Sequence, residues 1–286
     1  MAQLALMLST LVWGATFTAT KMALAEVPPF LFLLLRFSLG TVLTVLVVLA
    51  MRRTLHRDRS TLRMSLIATV FLALGYGLQT VGLQYTTATN SAFITALYVV
   101  LVPLFLLRFD RQTWGAAALA VAGLWLLVDP SVSANLGDLL TLGCAAAFAG
   151  HICVLEPYTR KSDSVSFFVW QLLLVTPVFV PLAALEPSGP LQATPTLLAA
   201  LTVTGVLATG AFAVQIWAQR LLPAPQVALI YSAEPAWAAW LAWYVLDERL
   251  SARGWWGSGL ILIALAAGSL PLGRKKTPST ESLRME

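Results

Sequence analysis

The chain has 286 residues, of which 58% are hydrophobic and 11% are charged, with a mean hydropathy of +0.80 and a formal net charge of +5. A soluble domain carries roughly 25% charged residues, so this composition excludes an ordinary soluble protein. The two cysteines, Cys144 and Cys153, fall on opposite sides of one predicted helix. They therefore predict neither a disulfide nor a shared metal.

Apolar stretches long enough to cross a hydrocarbon core of about 30 Å recur along the whole chain. Backbone polar groups in lipid must be satisfied within each segment, so each stretch is predicted to be a helix. The sequence therefore predicts an all-α integral membrane protein with ten transmembrane helices. In chain order, the predicted spans cover residues 2–24, 30–51, 64–84, 87–107, 113–128, 138–156, 164–185, 195–218, 224–246 and 254–272.

The basic residues are unevenly divided between the two sets of alternate loops. The loops on one side of the membrane hold only Lys21, Arg249 and Arg253 as basic residues, and the loops and tail on the other side hold many more. Because basic loops stay in the cytoplasm, both termini are predicted to be cytoplasmic and the protein to lie in the inner or plasma membrane. The positive charge is then an orientation signal, and no nucleic-acid partner is expected. The residues of the richer side are Arg52, Arg53, Arg57, Arg59, Arg63, Arg108, Arg111, Arg160, Lys161, Arg220, Arg274, Lys275, Lys276 and Arg284.

A shift of 135 residues places much of the chain on itself: Phe32 meets Phe167, Gly75 meets Gly210 and Gln84 meets Gln219. Each half has five predicted helices, an odd number, so the second half must enter the membrane inverted. Inverted repeats are a transporter design with the binding site near the midplane. We expect two inverted five-helix repeats around a central cavity, at residues 1–130 and 131–273, and a disordered cytoplasmic tail at 274–286.

Three stretches carry a resemblance to a known family. TLVWGATFTATKMAL with PFLFLLLRF, QTVGLQYTTATNSAFITALYVVLVPLF, and SAEPAWAAWLAWYVLDERLSARGWWGSGLILIALAAG together resemble the EamA-type branch of the drug/metabolite transporter superfamily. The first half departs from the pattern, because it reads LLRFDRQTW where an acidic-Glu-Arg-Leu element would follow its fourth helix. The resemblance implies ten helices, a central cavity and export of small metabolites across the inner membrane. It also allows kinship with aromatic amino-acid exporters.

Polar side chains in the first-half spans fall on stripes that can face a cavity. Such residues usually face a cavity or another helix, because exposing them to lipid is costly. The alternatives are hydroxyl groups bonded back to their own helix and hydrogen bonds between helices. The candidate substrate-binding residues of this half are Trp13, Thr16, Thr20, Tyr76, Gln79, Ser91, Thr95 and Tyr98.

The second half adds His151, Gln215, Tyr231 and Glu234 as candidate substrate-binding residues. The 135-residue shift places His151 opposite Thr16. Glu234 is followed by a proline, which removes a backbone donor and opens the helix. Glu234 and His151 are candidates for proton coupling. A structural ion pair between Glu234 and Arg36 is the competing interpretation.

The leading functional hypothesis is a secondary or facilitated transporter that exports a small zwitterionic or aromatic metabolite by alternating access. Phosphorylated substrates would require several Lys or Arg residues near the midplane, and no GxxxxGK[ST] motif is present to bind ATP. No cofactor, metal or obligate protein partner is expected besides the lipid bilayer and a small-molecule substrate. The alternatives are proton-coupled export of other drugs, amines or organic metabolites and, more remotely, an integral-membrane enzyme.

Overall fold

The computed structural model describes residues 1–107, 111–128, 135–159, 163–187, 189–222, 227, 230–231 and 233–269. Several predictions fall outside the described residues. They concern Arg108, Arg160, Lys161, the tail at 274–286, and residues 224–226, 228, 229 and 232 of the predicted ninth span.

The described secondary structure is helical. The α-helices are α1 (Ala2–Ala23), α2 (Pro29–Ala50), α3 (Arg59–Gly82), α4 (Ala88–Thr95), α5 (Tyr98–Phe105), α6 (Arg111–Val128), α7 (Leu136–Thr159), α8 (Ser164–Ala184), α9 (Pro195–Leu201), α10 (Ala208–Gln219), α11 (Glu234–Leu246) and α12 (Ala252–Ser269). A π-helical segment, Thr202–Leu207, joins α9 to α10.

Seven helical stretches among the described residues are long and apolar enough to cross a membrane. The predicted all-helical membrane class is therefore confirmed, while the count of ten spans and the inverted topology stay predictions. The stretches are Ala2–Ala23, Pro29–Ala50, Arg59–Gly82, Ala88–Phe105, Leu136–Leu155, Ser164–Ala184 and Pro195–Gln219, and a shorter apolar helix covers Trp114–Leu127.

Helices of the first half pack mainly against helices of the second. Helix α3 packs on α7, α1 on α10 and α11, α2 on α8, and α6 on α12. At the α3–α7 crossing the backbones almost touch, because a Cβ on Gly137 would lie 2.5 Å from the Gly82 carbonyl oxygen. The apolar core lies between the halves and joins Phe37 and Tyr76 to Phe168 and Phe212.

Side chains from another helix or from the loops bond helix ends on one face of the bundle. Lys21 donates to the carbonyl oxygens of Leu83 and Thr86, at 2.6 Å each, where α3 ends. Glu248 accepts from the first backbone N–H groups of α4, and Glu186 accepts from those of α2. We call the side defined by Lys21, Glu186 and Glu248 the capped face.

The opposite face carries the basic loop between α2 and α3. Asp163, the residue before α8, lies 3.8 Å from Arg53 and 3.5 Å from the His56 ring. The Trp170 indole donates to the His56 carbonyl at 2.9 Å. These contacts join the α2–α3 loop to the start of α8.

Candidate functional site

A cavity lies in the interior, between helices of both halves. About 540 Å³ of empty space lies here, a volume that includes the part open to solvent. It is lined by Trp13, Thr16, Phe17, Leu72, Tyr76, Gln79, Thr95, Tyr98, Phe148, His151, Ile152, Phe212, Gln215, Tyr231 and Glu234.

Two of the helical stretches that reach the cavity are interrupted beside it. Helix α4 ends at Thr95 and α5 begins at Tyr98. Helix α11 begins at Glu234, with Pro235 at its start. Thr95, Tyr98 and Glu234 stand at these helix ends, and all three line the cavity.

Glu234 is the only carboxylate among the described residues that line the cavity, and none of those lining residues is a lysine or arginine. The Tyr98 hydroxyl donates to Glu234 Oε2 at 3.1 Å. The rings of Tyr98 and Tyr231 meet edge to face, with centroids 6.5 Å apart. The acidic group therefore lies beside two phenol rings.

Arg36 takes no part in the described ion pairs, which involve Asp163 and Asp247. Its guanidinium carbon lies 4.5 Å from the centroid of the Tyr76 ring and 5.3 Å from that of Phe37. It is buried, and it is not part of the cavity lining. The ion pair with Glu234, weighed as an alternative, is not formed in this structure, and a cation–π contact takes its place.

Amide side chains orient two of the lining residues. The Gln171 amide lies 2.7 Å from His151 Nε2, so this contact engages one ring nitrogen and leaves Nδ1 for another partner. Gln79 donates to the Thr95 hydroxyl at 3.3 Å. These contacts hold an imidazole and a hydroxyl in fixed positions in the wall.

The structure brings ten of the twelve candidate residues to this one cavity and leaves Thr20 and Ser91 elsewhere. Ser91 is buried 3.4 Å from the Thr141 hydroxyl on α7, as the alternative of an interhelical bond describes. Thr20 is buried outside the lining. The Thr16 hydroxyl bonds back to the Trp13 carbonyl. The ten residues are Trp13, Thr16, Tyr76, Gln79, Thr95, Tyr98, His151, Gln215, Tyr231 and Glu234.

Five apolar lining residues were not singled out from the sequence, and neither was Gln171 behind His151. For Phe148 a signal existed, because the 135-residue shift places it opposite Trp13. For Phe17 the signal is helical spacing, because it shares one stripe of the first span with Trp13 and Thr16. For the other three no local signal distinguishes a cavity wall from ordinary packing. The five are Phe17, Leu72, Phe148, Ile152 and Phe212.

No group of three His, Cys, Asp or Glu side chains within the described ranges is placed to hold a metal ion. The cavity instead offers aromatic rings, amides, hydroxyls and one carboxylate. Such a lining binds by hydrogen bonds, by cation–π contact and by apolar contact. It suits a small organic molecule that carries both polar and apolar parts.

Fold and cavity together define the class: a polytopic helical membrane protein with an internal cavity lined by polar and aromatic side chains. The profile of the EamA-like transporter family matches residues 1–129 and again 135–269. The chain belongs to the EamA-like transporter family.

Similar proteins agree with this assignment. An uncharacterized transporter of Archaeoglobus fulgidus is 32% identical over 94% of this chain and 86% of its own length. A probable amino-acid metabolite efflux pump of Escherichia coli K12 is 26% identical over 64% of each chain. A solved crystal structure, 20% identical, superposes with a TM-score of 0.67 over 94% of this chain and 98% of that chain, which shows a shared fold.

Proposed function

We propose that the protein is a secondary or facilitated transporter that exports a small zwitterionic or aromatic metabolite across the inner membrane. The observation that carries this proposal is the cavity, which collects polar groups from both halves at the point where helical stretches are interrupted. The name of the E. coli relative, an amino-acid metabolite efflux pump, supports an amino acid or related compound as the substrate.

Alternating access is the proposed mechanism, because the contacts at the capped face can act as one gate. Lys21, Glu186 and Glu248 each tie one helix end to another helix. Opening this face exchanges those bonds for bonds to water, and closing it restores them. With the basic loops in the cytoplasm, the capped face is the outer face and its opening releases the exported molecule.

Transport by reconstituted protein tests the proposal. Protein in liposomes is expected to move radiolabelled amino acids or aromatic metabolites down their gradients. Thr16→Trp, which fills the cavity, is expected to abolish this flux while the protein stays monodisperse. Leu46→Trp on the exposed surface of α2, where the side chain is 56% exposed, is the matched control and retains flux. Absence of flux for every amino acid, amine and aromatic metabolite tested contradicts the proposal.

Proton-coupled export is the second candidate, because Glu234 and His151 both line the cavity. If either group exchanges a proton during transport, Glu234→Gln or His151→Gln flattens the pH dependence of net export while counterflow remains measurable. An unchanged pH dependence in both variants leaves facilitated transport as the mechanism.

A further inference from the structure

We propose that a groove between α11 and α12 binds one zwitterionic phospholipid of the surrounding bilayer. Arg249 binds the phosphate, the Ser258 hydroxyl donates to an ester carbonyl oxygen, and one acyl chain lies along the groove. The groove is separate from the central cavity, because the two share no lining residue. The inference therefore concerns a second site and does not depend on the proposed transport function.

The groove lies between two consecutive helices that pack on different partners. Helix α11 packs on α1 and α4, whereas α12 packs mainly on α6. About 1390 Å³ of empty space lies in the groove, a volume that includes the part open to the outside. Gly259 of α12 lines it, and a Cβ on this residue would meet nothing within 4 Å. The groove is therefore open at Gly259 and has room for a further group.

The groove is polar at one end and apolar along the rest, as a phospholipid is. Glu248 and Arg249 stand at the capped face, where α11 has ended and α12 has not yet begun. From there the lining follows α11 through Trp243 and Trp240 to Ala236. Trp243 and Ala236 are seven positions apart, which is about 10 Å along a helix. One leaflet of the hydrocarbon core is about 15 Å deep, so the groove matches the upper part of an acyl chain.

Three tryptophans form exposed walls of the groove. Trp240, Trp243 and Trp255 are 52%, 53% and 66% exposed, and all three line the groove. Tryptophan is enriched where lipid headgroups meet acyl chains, because its ring has an apolar body and a polar N–H group. Apolar surface of this extent marks a binding surface, and the position of these rings favours a lipid as the molecule that covers it.

Ser258 supplies a hydrogen-bond donor inside the groove. It lines the groove and is 3% exposed, and its hydroxyl has no hydrogen-bond partner in the parts of the chain that the structure describes. A buried donor without a partner is rare in native structures, so this hydroxyl points to an acceptor on a ligand. Ser258 lies six positions after Ala252, about 9 Å from the start of α12. A phospholipid has its ester carbonyl oxygens below its phosphate, which agrees with a donor below Arg249.

The charges at the mouth of the groove favour a zwitterionic headgroup. Arg249 donates from Nε and Nη2 to Asp247 Oδ1, at 3.2 and 3.1 Å. These described bonds leave three of its five N–H groups for a phosphate, which arginine binds well. The carboxylates of Asp247 and Glu248 stand beside it in the chain. They repel a headgroup with a net negative charge and attract an ammonium group, so a headgroup with both phosphate and ammonium is the best match.

Native mass spectrometry of the purified full-length protein tests the inference. Protein stripped of lipid in detergent is titrated with three lipids that have the same two oleoyl chains. They are phosphatidylethanolamine, phosphatidylglycerol, which lacks the ammonium group, and diacylglycerol, which lacks the phosphate. One phosphatidylethanolamine is expected to bind per protein, and each of the other two lipids is expected to bind about threefold more weakly or worse.

Two variants assign the polar contacts. Arg249→Met is expected to remove the preference for phosphatidylethanolamine over diacylglycerol, whereas Arg220→Met, an exposed position at the end of α10, is the control and keeps it. Ser258→Ala is expected to weaken ester-linked phosphatidylethanolamine about three- to tenfold, as the loss of one hydrogen bond predicts. The ether-linked analogue has no ester carbonyl, so the parent protein and Ser258→Ala are expected to bind it equally.

A third variant tests the groove itself. Gly259→Phe fills the open space and is expected to abolish binding of all three lipids. Gly210→Phe on α10 is the matched control, because a Cβ there also meets nothing within 4 Å, and it is expected to retain binding. If Gly259→Phe is not monodisperse, the comparison of ester and ether lipids in Ser258→Ala decides, because that variant removes a single oxygen atom.

Three results overturn the inference. The first is that the parent protein and monodisperse Gly259→Phe bind the same number of lipids with the same affinity. The second is that Ser258→Ala leaves the difference between ester and ether lipids unchanged. The third is that the lipid-free parent is a dimer and Gly259→Phe a monomer, which would make the groove an interface between two copies of the chain. Flux in liposomes tests the proposed transport function separately from lipid binding.

Discussion

Thr41 on α2 and Thr176 on α8 share a hydrogen bond, with 2.8 Å between their hydroxyl oxygens. These are the two positions that the 135-residue shift superimposes. Residues related by a two-fold axis can touch each other only if they lie close to that axis. An axis relating the two halves is therefore expected to pass between α2 and α8, at the level of this contact.

Removing either hydroxyl tests how much this contact contributes to the joint between the halves. Thr41→Val and Thr176→Val are each expected to lower the free energy of unfolding by roughly 1 kcal/mol, because each variant loses the bond between the two hydroxyls and its own contact with the Leu172 carbonyl oxygen. The double variant is expected to lose less than the sum of the two. Thermal unfolding of the four proteins in detergent measures this, and strict additivity would show that the hydroxyls act independently.

The contact between Gly82 and Gly137 is expected to tolerate no side chain. Gly137→Ala would place a Cβ 2.5 Å from the Gly82 carbonyl oxygen and 2.7 Å from the Thr86 backbone nitrogen. Backbone cannot swing aside as a side chain can, so α3 and α7 must separate, at a cost of roughly 1–3 kcal/mol. The matched control is Gly115→Ala on α6, where nothing lies within 4 Å and no loss is expected. The melting temperatures of the two variants decide the point.

Glu248 is expected to stabilise the start of α4. Its carboxylate accepts from the backbone N–H of Ala88 at 2.8 Å and of Thr89 at 3.0 Å, and from the Thr89 hydroxyl at 2.9 Å. Glu248→Ala leaves these donors without that acceptor and is expected to cost about 0.5–2 kcal/mol, as other lost helix caps do. The neighbouring variant Asp247→Asn removes an exposed charge and should be neutral. Equal melting temperatures for Glu248→Ala and the parent protein would contradict the capping role.

Lys21 is expected to hold the capped face closed, because it donates to the carbonyl oxygens of Leu83 and Thr86, which directly follow α3. Lys21→Met keeps the length of the side chain and removes its donors. The reporter is Thr95→Cys in the cavity, in a background without Cys144 and Cys153. With Lys21→Met, this cysteine should react several-fold faster with a membrane-impermeant maleimide added on the side of the capped face. Arg249→Met, at an exposed position nearby, is the control. An unchanged labelling rate for Lys21→Met would contradict the gate.

The N-cap of α8 is expected to make stability depend on acid pH. Burial raises the pKa of Asp163. Hydrogen bonds from the Ser166 hydroxyl and backbone N–H contribute to a larger lowering, so the pKa lies below its usual value. A depressed pKa in the folded state stabilises the protein above the unfolded value of about 4, and this contribution is lost as pH falls through the folded pKa. Asp163→Ala should therefore melt lower than the parent at pH 7, with the gap narrowing near pH 3. A gap that does not change with pH would contradict this account.

The helical membrane class and most of the cavity residues could be predicted from the sequence, because both depend on local patterns. Apolar length marks the spans, and helical spacing shows which polar residues share a face. Trp13 and Thr16 illustrate the second case, as do Tyr231 and Glu234. Ser91 and Thr95 show its limit: they share one predicted stripe, but Thr95 lines the cavity and Ser91 meets Thr141 on α7. A helical projection fixes a direction around one axis and does not say which neighbour lies there.

The sequence by itself determined the all-helical membrane class, the charge asymmetry of the loops, the 135-residue self-similarity and a set of polar candidates. The tertiary structure decided which candidates meet. It placed Arg36 over Tyr76 instead of beside Glu234, set Gln171 behind His151, and interrupted the helical stretch between Thr95 and Tyr98 where no proline marks a break. Each of these depends on how helices far apart in the chain cross. Hydropathy and periodicity are properties of a single helix, whereas a cavity is a property of the space that several helices leave between them.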